Sequence, residues 1–323
     1  MEPGGRVLYT RRFRLMGGGA SIEFVDDRGP DQAERIARAV EAEACRIEWK
    51  FSRYRDTSVV SEINRNAGRT PVAVDEETKM LVRSALDLAK MTEGRFDPTV
   101  GVLRRAWDFK GGRAPAQEEI DALLPLVGAD AVSVRNGTVF LRKTGMEIDL
   151  GGVGKEYAVD RAAQILREEG IRAAIINFAG DVRTLGSRGD GRPWKVGVVD
   201  PQDRRRCRFA VRPLNDAGIA TSGDYERGFV KGGIRYHHIL DARTGWPARG
   251  LSSVTVVAAS AFRAGLFATA AFLFGVEAGL ALLESAPDVE GALITEGGSV
   301  FSTAGMAHLS DLPGSLWAGL QIL

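Results

Sequence analysis

The run Asp149-Leu150-Gly151-Gly152-Val153-Gly154-Lys155-Glu156-Tyr157-Ala158-Val159-Asp160 packs glycines, a lysine and acids into one short stretch. Residues 146–150 before it are mostly apolar, with strand character. Tyr157, Ala158, Ala162, Ile165 and Leu166 recur at helical spacing and predict a helix that opens at the glycines. A strand, a glycine turn and a helix N-terminus together make an anion site. Glycine lets the backbone approach a phosphate, and the unpaired N–H groups of the first turn point at it. Lys155 adds a cation at the same place. The same pattern also serves as a tight connection with no ligand, so the decision rests on what else in the chain converges there.

Several other groups have chemical potential. The loop 94–101 holds Phe96 beside Asp97 and Pro98. It reads either as a proline turn with a helix-capping aspartate, which the residue types favour, or as an aromatic face and a carboxylate at a ligand edge. Three polar loops, 177–181, 221–224 and 237–244, follow apolar segments, and strand ends are where sites are usually built. Of the chain's 3 histidines two are adjacent, His237 and His238. On a strand they face opposite sides, so one at most faces a given pocket. Asp241 and Arg243 nearby give that histidine potential partners. The sequence has no GxSxG elbow with a histidine partner, no Walker A motif and no HExxH. Gly151, Gly152 and Gly154 do not have GxGxxG spacing, so a phosphate-bearing ligand of another kind is indicated.

The elements that must position these groups follow from periodicity. Strands are expected at 7–13, 21–25, 173–178, 194–199 and 253–259. A long helix opens at Pro30-Asp31, with Ile36, Val40, Ala44, Ile47 and Phe51 on one face. Further helices are expected at 59–66, from the Asp75-Glu76-Glu77 cap to Thr92, at 115–124 and at 261–285. Hairpins are expected at 132–141, through Asn136-Gly137, and at the closing pair 291–294 and 299–301. Helices gather in the first half and strands in the second, an α+β pattern. The 323 residues read as a single domain, 1–323, with a soft division into lobes near residue 143.

Composition excludes some functions. Lys+Arg (43) nearly equals Asp+Glu (42), leaving a net charge of +1, so no global field favours nucleic acid or an anionic membrane. The Arg204-Arg205-Arg206-Cys207-Arg208 run is local and reads as a solvated edge. Cys45 and Cys207 have no metal spacing. The first six residues contain no apolar leader and no lipidation cysteine, which points to a cytoplasmic protein. The longest apolar stretch, 264–276, is too short to span a bilayer and reads as a buried helix.

Taken in order, the blocks resemble the ApbE-like family, the FAD:protein FMN transferases. The match runs through Met16-Gly17 before Ser21-Ile22, Phe51-Ser52 with Tyr54 and Ser58, and 94–100 (family G-x-F-D-P-T-V). It continues through 149–160 (D-L-G-G-I-A/G-K-G-Y-A-V-D), 177–181, 221–225 (T-S-G-D-Y), 238–245 (H-I-I-D-P-R-T-G) and 264–269. The resemblance implies an α+β, T-fold-like, two-lobed architecture with mixed or antiparallel sheets and a flavin cleft between the lobes. It implies FAD as the flavin and Mg²⁺ as the metal. It also implies transfer of FMN to a threonine hydroxyl of a target flavoprotein, or hydrolysis of FAD to FMN and AMP. By the same resemblance Met16, Tyr54, Arg95, Phe96, Asp97, Gly151, Lys155, Tyr157 and Ile239 line the flavin nucleotide. Gly154, through its carbonyl, and Thr269 hold the metal. His238 assists proton transfer, with Asp241 as its orienter.

One departure stands out. The family's last block reads A-D-A-x-A-T, with Asp and Thr on the metal, whereas this chain reads Ala264-Gly265-Leu266-Phe267-Ala268-Thr269. Smaller departures are Glu156 for a common glycine, Ala179 for glycine and Ala242 for proline. Glu156 reads either as a replacement for the missing carboxylate or as a first-turn acid that favours the helix N-terminus, the simpler reading. Two functions follow. One is an active flavin transferase or FAD pyrophosphatase. The other is a catalytically weak FAD-binding or carrier protein.

Overall fold

In the computed structural model, which describes residues 7–213 and 216–311, the chain begins with a hairpin. Strand β1 (Val7–Leu15) pairs antiparallel with β2 (Gly18–Asp26), with Arg11 opposite Ile22. Strand β2 buries Ala20, Ile22 and Phe24, every second residue, as one sheet face requires. The first six residues, on which the absence of a leader was read, lie outside the described residues.

Helix α1 (Pro30–Phe51) buries Ile36, Val40, Ala44, Ile47 and Phe51, the stripe expected from the sequence. Then come α2 (Val59–Arg65), β3 (Val72–Ala73) and α3 (Glu76–Met91), the last capped by the Asp75 side chain on the Thr78 N–H. A 3-10 segment, Pro98–Arg105, leads to α4 (Gln117–Asp121), and β4 (Val132–Arg135) and β5 (Thr138–Leu141) form the expected Asn-Gly hairpin. Helix α5 (Gly154–Glu168) is followed by β6 (Ala174–Phe178), β7 (Asp181–Leu185), β8 (Val196–Val199), β9 (Cys207–Val211) and β10 (Ala217–Gly223). Next are β11 (Gly228–Lys231), β12 (Ile234–His237), β13 (Leu240–Asp241), β14 (Trp246–Pro247) and β15 (Leu251–Ala258). The described chain closes with α6 (Ala261–Phe274), α7 (Val276–Ser285), β16 (Glu290–Thr295), β17 (Val300–Ser302) and α8 (Met306–Leu309).

Eight strands form one sheet in the order β1-β2-β6-β7-β10-β15-β16-β17. Every pairing described in it is antiparallel. Helices α1 and α5 cover one face at the β2–β6 end, where Ile22, Phe24, Ile176 and Phe178 join their core. Helices α6 and α7 continue the layer over Val254, Val256 and Leu293. The opposite face packs Val182, Ile219, Val257 and Ile294 against Val198, Phe209 and Val211 of the β8–β9 ribbon. Strand β15 is buried along its whole length, which explains why its sequence is a continuous apolar and hydroxyl run. This α+β, antiparallel architecture is the expected fold class. Among the described residues no helix is long and apolar enough to cross a membrane.

Three expected elements differ. The expected helix over 261–285 is two helices, because the chain breaks at Gly275, where φ is 83°. The expected helix over 115–124 shrinks to α4 and a 3-10 turn at Leu124–Leu126, since Pro125 lacks the N–H needed to continue it. Residues 146–150, expected to have strand character, join no sheet. Their polar backbone is satisfied elsewhere: the Ile148 N–H donates to Asn64 Oδ1 (2.7 Å), Asn64 Nδ2 donates to the Ile148 carbonyl (3.1 Å), and the Asp149 N–H donates to the Pro98 carbonyl (2.7 Å). A buried arginine fixes the same segment. Arg53, with its side chain 4% exposed, holds Glu147 and Asp149 at 2.7 Å each and donates to the Gly101 carbonyl at 2.7 Å.

Removing one member of such a buried cluster leaves the other charges without compensation. An Arg53→Met variant is therefore expected to lose on the order of 3–5 kcal/mol of stability, read from urea unfolding curves.

Candidate functional site

The glycine turn is built by short contacts rather than by a strand ladder. Asp149, pinned by Arg53, accepts the Gly151 N–H through Oδ1 at 2.8 Å. The N–H groups of Val153 and Gly154 both turn back to the Leu150 carbonyl, at 3.1 and 2.8 Å, and so close the turn instead of facing an anion. The Phe96 ring lies directly on Gly152. A Cβ there would come within 2.9 Å of Phe96 Cε2, so the glycine is required for the ring to dock.

Helix α5 then presents two acid–base groups in its first turn, Lys155 and Glu156. Lys155 forms an ion pair with Asp181, at the start of β7, at 2.7 Å. Burial opposes the lysine charge, yet the carboxylates of Asp181 and Glu156 hold its pKa above the usual value. Asp181 itself is 2% exposed; burial raises its pKa, and Lys155 and the Thr221 N–H oppose the rise. Glu156 is 8% exposed, and its Oε2 has no hydrogen-bond partner. Burial pushes its carboxyl well above the ordinary carboxylate range, and the charge of Asp181 adds to this. It stands in the first turn of α5, as the simpler sequence reading has it, but is buried there.

The partner of Glu156 is a helix from the far end of the chain. A Cβ placed on Gly265 of α6 would sit 2.6 Å from Glu156 Cγ and 2.8 Å from Oε1, so this side chain already fills the space beside Gly265. One turn earlier on α6, Asp160 caps the helix, accepting the Ala261 and Phe262 N–H groups at 3.0 and 2.8 Å. One turn later, Thr269 Oγ1 lies 3.2 Å from Ser222 Oγ on β10. The block 221–223, expected to be a loop, lies in β10. The sequence reading did not assign Asp181, Ser222 or Asp160 to the site. The available signal was an acid or hydroxyl at each edge of blocks already noted.

The other expected residues fall into distinct settings. Arg95 meets Asp241 at 3.3 Å, its guanidinium lies 5.4 Å from the Phe274 ring centre, and its carbonyl accepts the Ala242 N–H at 2.8 Å. That contact docks the loop 94–101 on the loop after β13. Ile239 packs on the α6–α7 core, and Phe96 touches both that core and the α1–α5 core. Asp97 is buried, and its oxygens accept the Thr99 N–H and Oγ1 (2.8 and 2.6 Å) and the Ala129 N–H (2.6 Å). It is the capping residue of the loop, not a free carboxylate at a ligand edge. Met16, in a left-handed turn at φ 50°, donates its N–H to Glu48 at 3.0 Å. Tyr54 is 74% exposed. The Tyr157 hydroxyl donates to Glu77 at 2.8 Å, on the α1–α3 side.

The two histidines separate as expected. His237 is buried, with Nε2 2.9 Å from the Ala248 carbonyl and Nδ1 accepting the Ile239 N–H at 3.3 Å. His238 is on the exposed side, with Nδ1 3.3 Å from the Arg227 carbonyl. Nearby protein lowers its pKa although the residue keeps an exposed surface, and the cations of Arg227 and Lys155 act in the same direction. Asp241 does not orient His238: its oxygens are held by Arg95 and by Arg243, whose N–H and Nη2 lie at 3.0 and 3.1 Å. Among the described residues no group of three or more His, Cys, Asp or Glu side chains is set to hold a metal. A cation here would depend on hydroxyl, carbonyl and phosphate oxygens beside one or two carboxylates.

Residues 16–293 match the model of the ApbE family. The chain is 34% identical over 268 residues to the FAD:protein FMN transferase of Klebsiella pneumoniae, covering 79% of this chain and 83% of that protein. It is 33% identical over 324 residues to the FAD:protein FMN transferase of Treponema pallidum, covering 94% and 90%. The crystal structure of the ApbE protein from Thermotoga maritima superposes with a TM-score of 0.84 at 36% identity, covering 94% of this chain and 99% of that one.

His237 gives a pH signature. Burial, the leading cause, lowers its pKa to about 4, against an unfolded value near 6.5. Between these values the unfolded chain binds the extra proton, so this contribution is complete above about pH 6.5 and is lost as pH falls towards 4. Unfolding free energy should drop by up to about 3 kcal/mol across that window from this group. Urea titrations at several pH values should show a shallower slope there for His237→Gln than for the unsubstituted chain.

Proposed function

The chain belongs to the ApbE family, and from that premise we propose that it is an FAD:protein FMN transferase. It takes FAD, leaves FMN on the side-chain hydroxyl of a threonine in an acceptor flavoprotein, and releases AMP. The observation that carries the reading is the convergence at the head of α5. Phe96 from the loop 94–101, Lys155 and Glu156 from α5, Asp181 from β7, and Ser222 and Thr269 from β10 and α6 meet around one glycine turn.

In this reading the Phe96 ring supplies an aromatic face beside the glycine turn, and Ile239 and Arg95 flank the same cleft. Lys155 faces the pyrophosphate, with Asp181 keeping it protonated and oriented. Attack by the threonine oxygen forms a P–O bond to FMN while the P–O bond to AMP breaks. The hydroxyl proton needs an acceptor, and His238 is assigned that role because a neutral imidazole has a free lone pair. Its lowered pKa keeps it neutral at pH 7. Asp241 acts at one remove, by pairing with Arg243 and with Arg95 of the loop 94–101 and so fixing the segment that follows His238.

Magnesium is assigned to the Gly154 carbonyl and Thr269 Oγ1, hard oxygens of the kind it takes. Such an ion would find a buried carboxylate oxygen without a hydrogen-bond partner on Glu156, which lies two residues after Gly154 and packs against Gly265, one turn before Thr269. When bound, Mg²⁺ would neutralise charge developing on the reacting phosphate. The alternative of an FAD carrier without turnover drew only on the missing carboxylate at residue 265. The space beside that residue holds a carboxyl group, so no observation favours the carrier. The balance between transfer and simple hydrolysis depends on whether water reaches the reacting phosphorus before the acceptor does. A cytoplasmic location is retained as part of the proposal.

Incubating the chain with FAD, Mg²⁺ and a threonine-bearing flavoprotein fragment should give AMP and a covalently flavinylated fragment. Intact FAD in every arm would overturn the reading. His238→Ala should lower the rate of FMN transfer by roughly 10²–10⁴-fold, with FAD affinity from fluorescence quenching nearly unchanged.

A further inference from the structure

Helices α5 and α6 meet in an antiparallel register. Asp160 of α5 accepts N–H groups at Ala261 and Phe262 of α6. Glu156, one turn back on α5, lies against Gly265, one turn on along α6. Thr269 follows one turn further on the same side of α6. The Glu156 side chain thus packs against α6 one turn before Thr269, whose hydroxyl meets that of Ser222.

A carboxylate in such a place is costly without a partner. Glu156 is 8% exposed and its Oε2 accepts no hydrogen bond. The lysine next to it in sequence is ion-paired with Asp181 at 2.7 Å. The space it fills exists because residue 265 has no side chain. The Cβ of any larger residue there would come within 2.6 Å of Glu156 Cγ. Positions 156 and 265 are therefore coupled: one side chain of carboxylate size fits between the helices, and this chain carries it on α5.

We propose that Glu156 is this chain's anionic ligand for the divalent cation, supplied from α5 into the space that a side chain at residue 265 of α6 would otherwise fill, with Thr269 and the Gly154 carbonyl as its neighbours. The inference rests on the flavin-transferase reading only for the presence of a cation. It adds the source of the negative charge, which the neutral donors Thr269 and Gly154 do not provide. An unpaired buried carboxylate becomes satisfied when the cation enters, and the exchange of side chains between two helices keeps the volume constant.

The test is Mn²⁺ binding to the full chain without FAD, followed by electron paramagnetic resonance of the free ion, with folding checked by circular dichroism. The unsubstituted chain should bind Mn²⁺ saturably, and Glu156→Gln should weaken binding by roughly tenfold or more. Gly265→Asp alone should lower the melting temperature by about 5 °C, because its side chain collides with Glu156. The double variant Glu156→Gly with Gly265→Asp moves the carboxylate to α6 and should bind Mn²⁺ within roughly threefold of the unsubstituted chain. Unchanged binding in Glu156→Gln, or no saturable binding in the unsubstituted chain, overturns the proposal. Should Glu156→Gln fail to fold, a folded double variant without Mn²⁺ binding overturns it as well. AMP release from FAD by the unsubstituted chain is scored separately, so the transferase reading stands or falls independently of the assigned ligand.

Discussion

Two carboxylates one turn apart on α5 fix the position of α6, and the site depends on that register. Asp160 satisfies two N–H groups that the start of α6 leaves without intrahelical partners. Glu156 fills the gap that Gly265 leaves open. Helix α6 carries small residues on this side, Ala261, Ala264, Gly265 and Ala268, all buried, which lets the two helices approach closely. Once α6 is placed, Thr269 reaches Ser222, and the far end of the chain is joined to its middle.

The turn that opens α5 is held from the other side by charge. Arg53, buried beneath Glu147 and Asp149, anchors a segment that has no neighbouring strand, and Asn64 and Pro98 complete its hydrogen bonds. Glu147 is further held by Arg104 and Arg105, and despite its burial these cations keep its pKa below the usual carboxylate range. Lys155 is already paired with Asp181, so it stands there as an oriented ion pair and not as an isolated cation. Such a pre-arranged group stabilises charge with little reorganisation when the phosphate reacts.

Much of the architecture was legible because single elements bury one stripe or one face. The stripe of α1, the Asp75 cap of α3 and the Asn136-Gly137 hairpin all stand where their spacing put them. Other features depend on partners that spacing does not report. The segment 146–150 has the apolar character of a strand, but its partners are a side-chain amide and a loop carbonyl, which periodicity does not report. Asp97 and Tyr157 belong to recognisable blocks, yet their polar atoms are engaged by Thr99, Ala129 and Glu77. Asp241 stands near His238 in sequence while its carboxylate faces Arg95 and Arg243.

The sequence by itself determined the α+β pattern, the glycine turn at the head of a helix, and the order of the blocks that place the chain in its family. These are local features, encoded by spacing and by residue type. Only the tertiary structure decided which groups are free to act. Burial and neighbours engaged the oxygens of Asp97 in capping its loop, paired Lys155 with Asp181, and set His238 apart from the buried His237. Above all, the two departures at 156 and 265 are a hundred residues apart in sequence and unrelated by any spacing rule. They are one feature in space, because two antiparallel helices leave room for a single carboxylate-sized side chain between them.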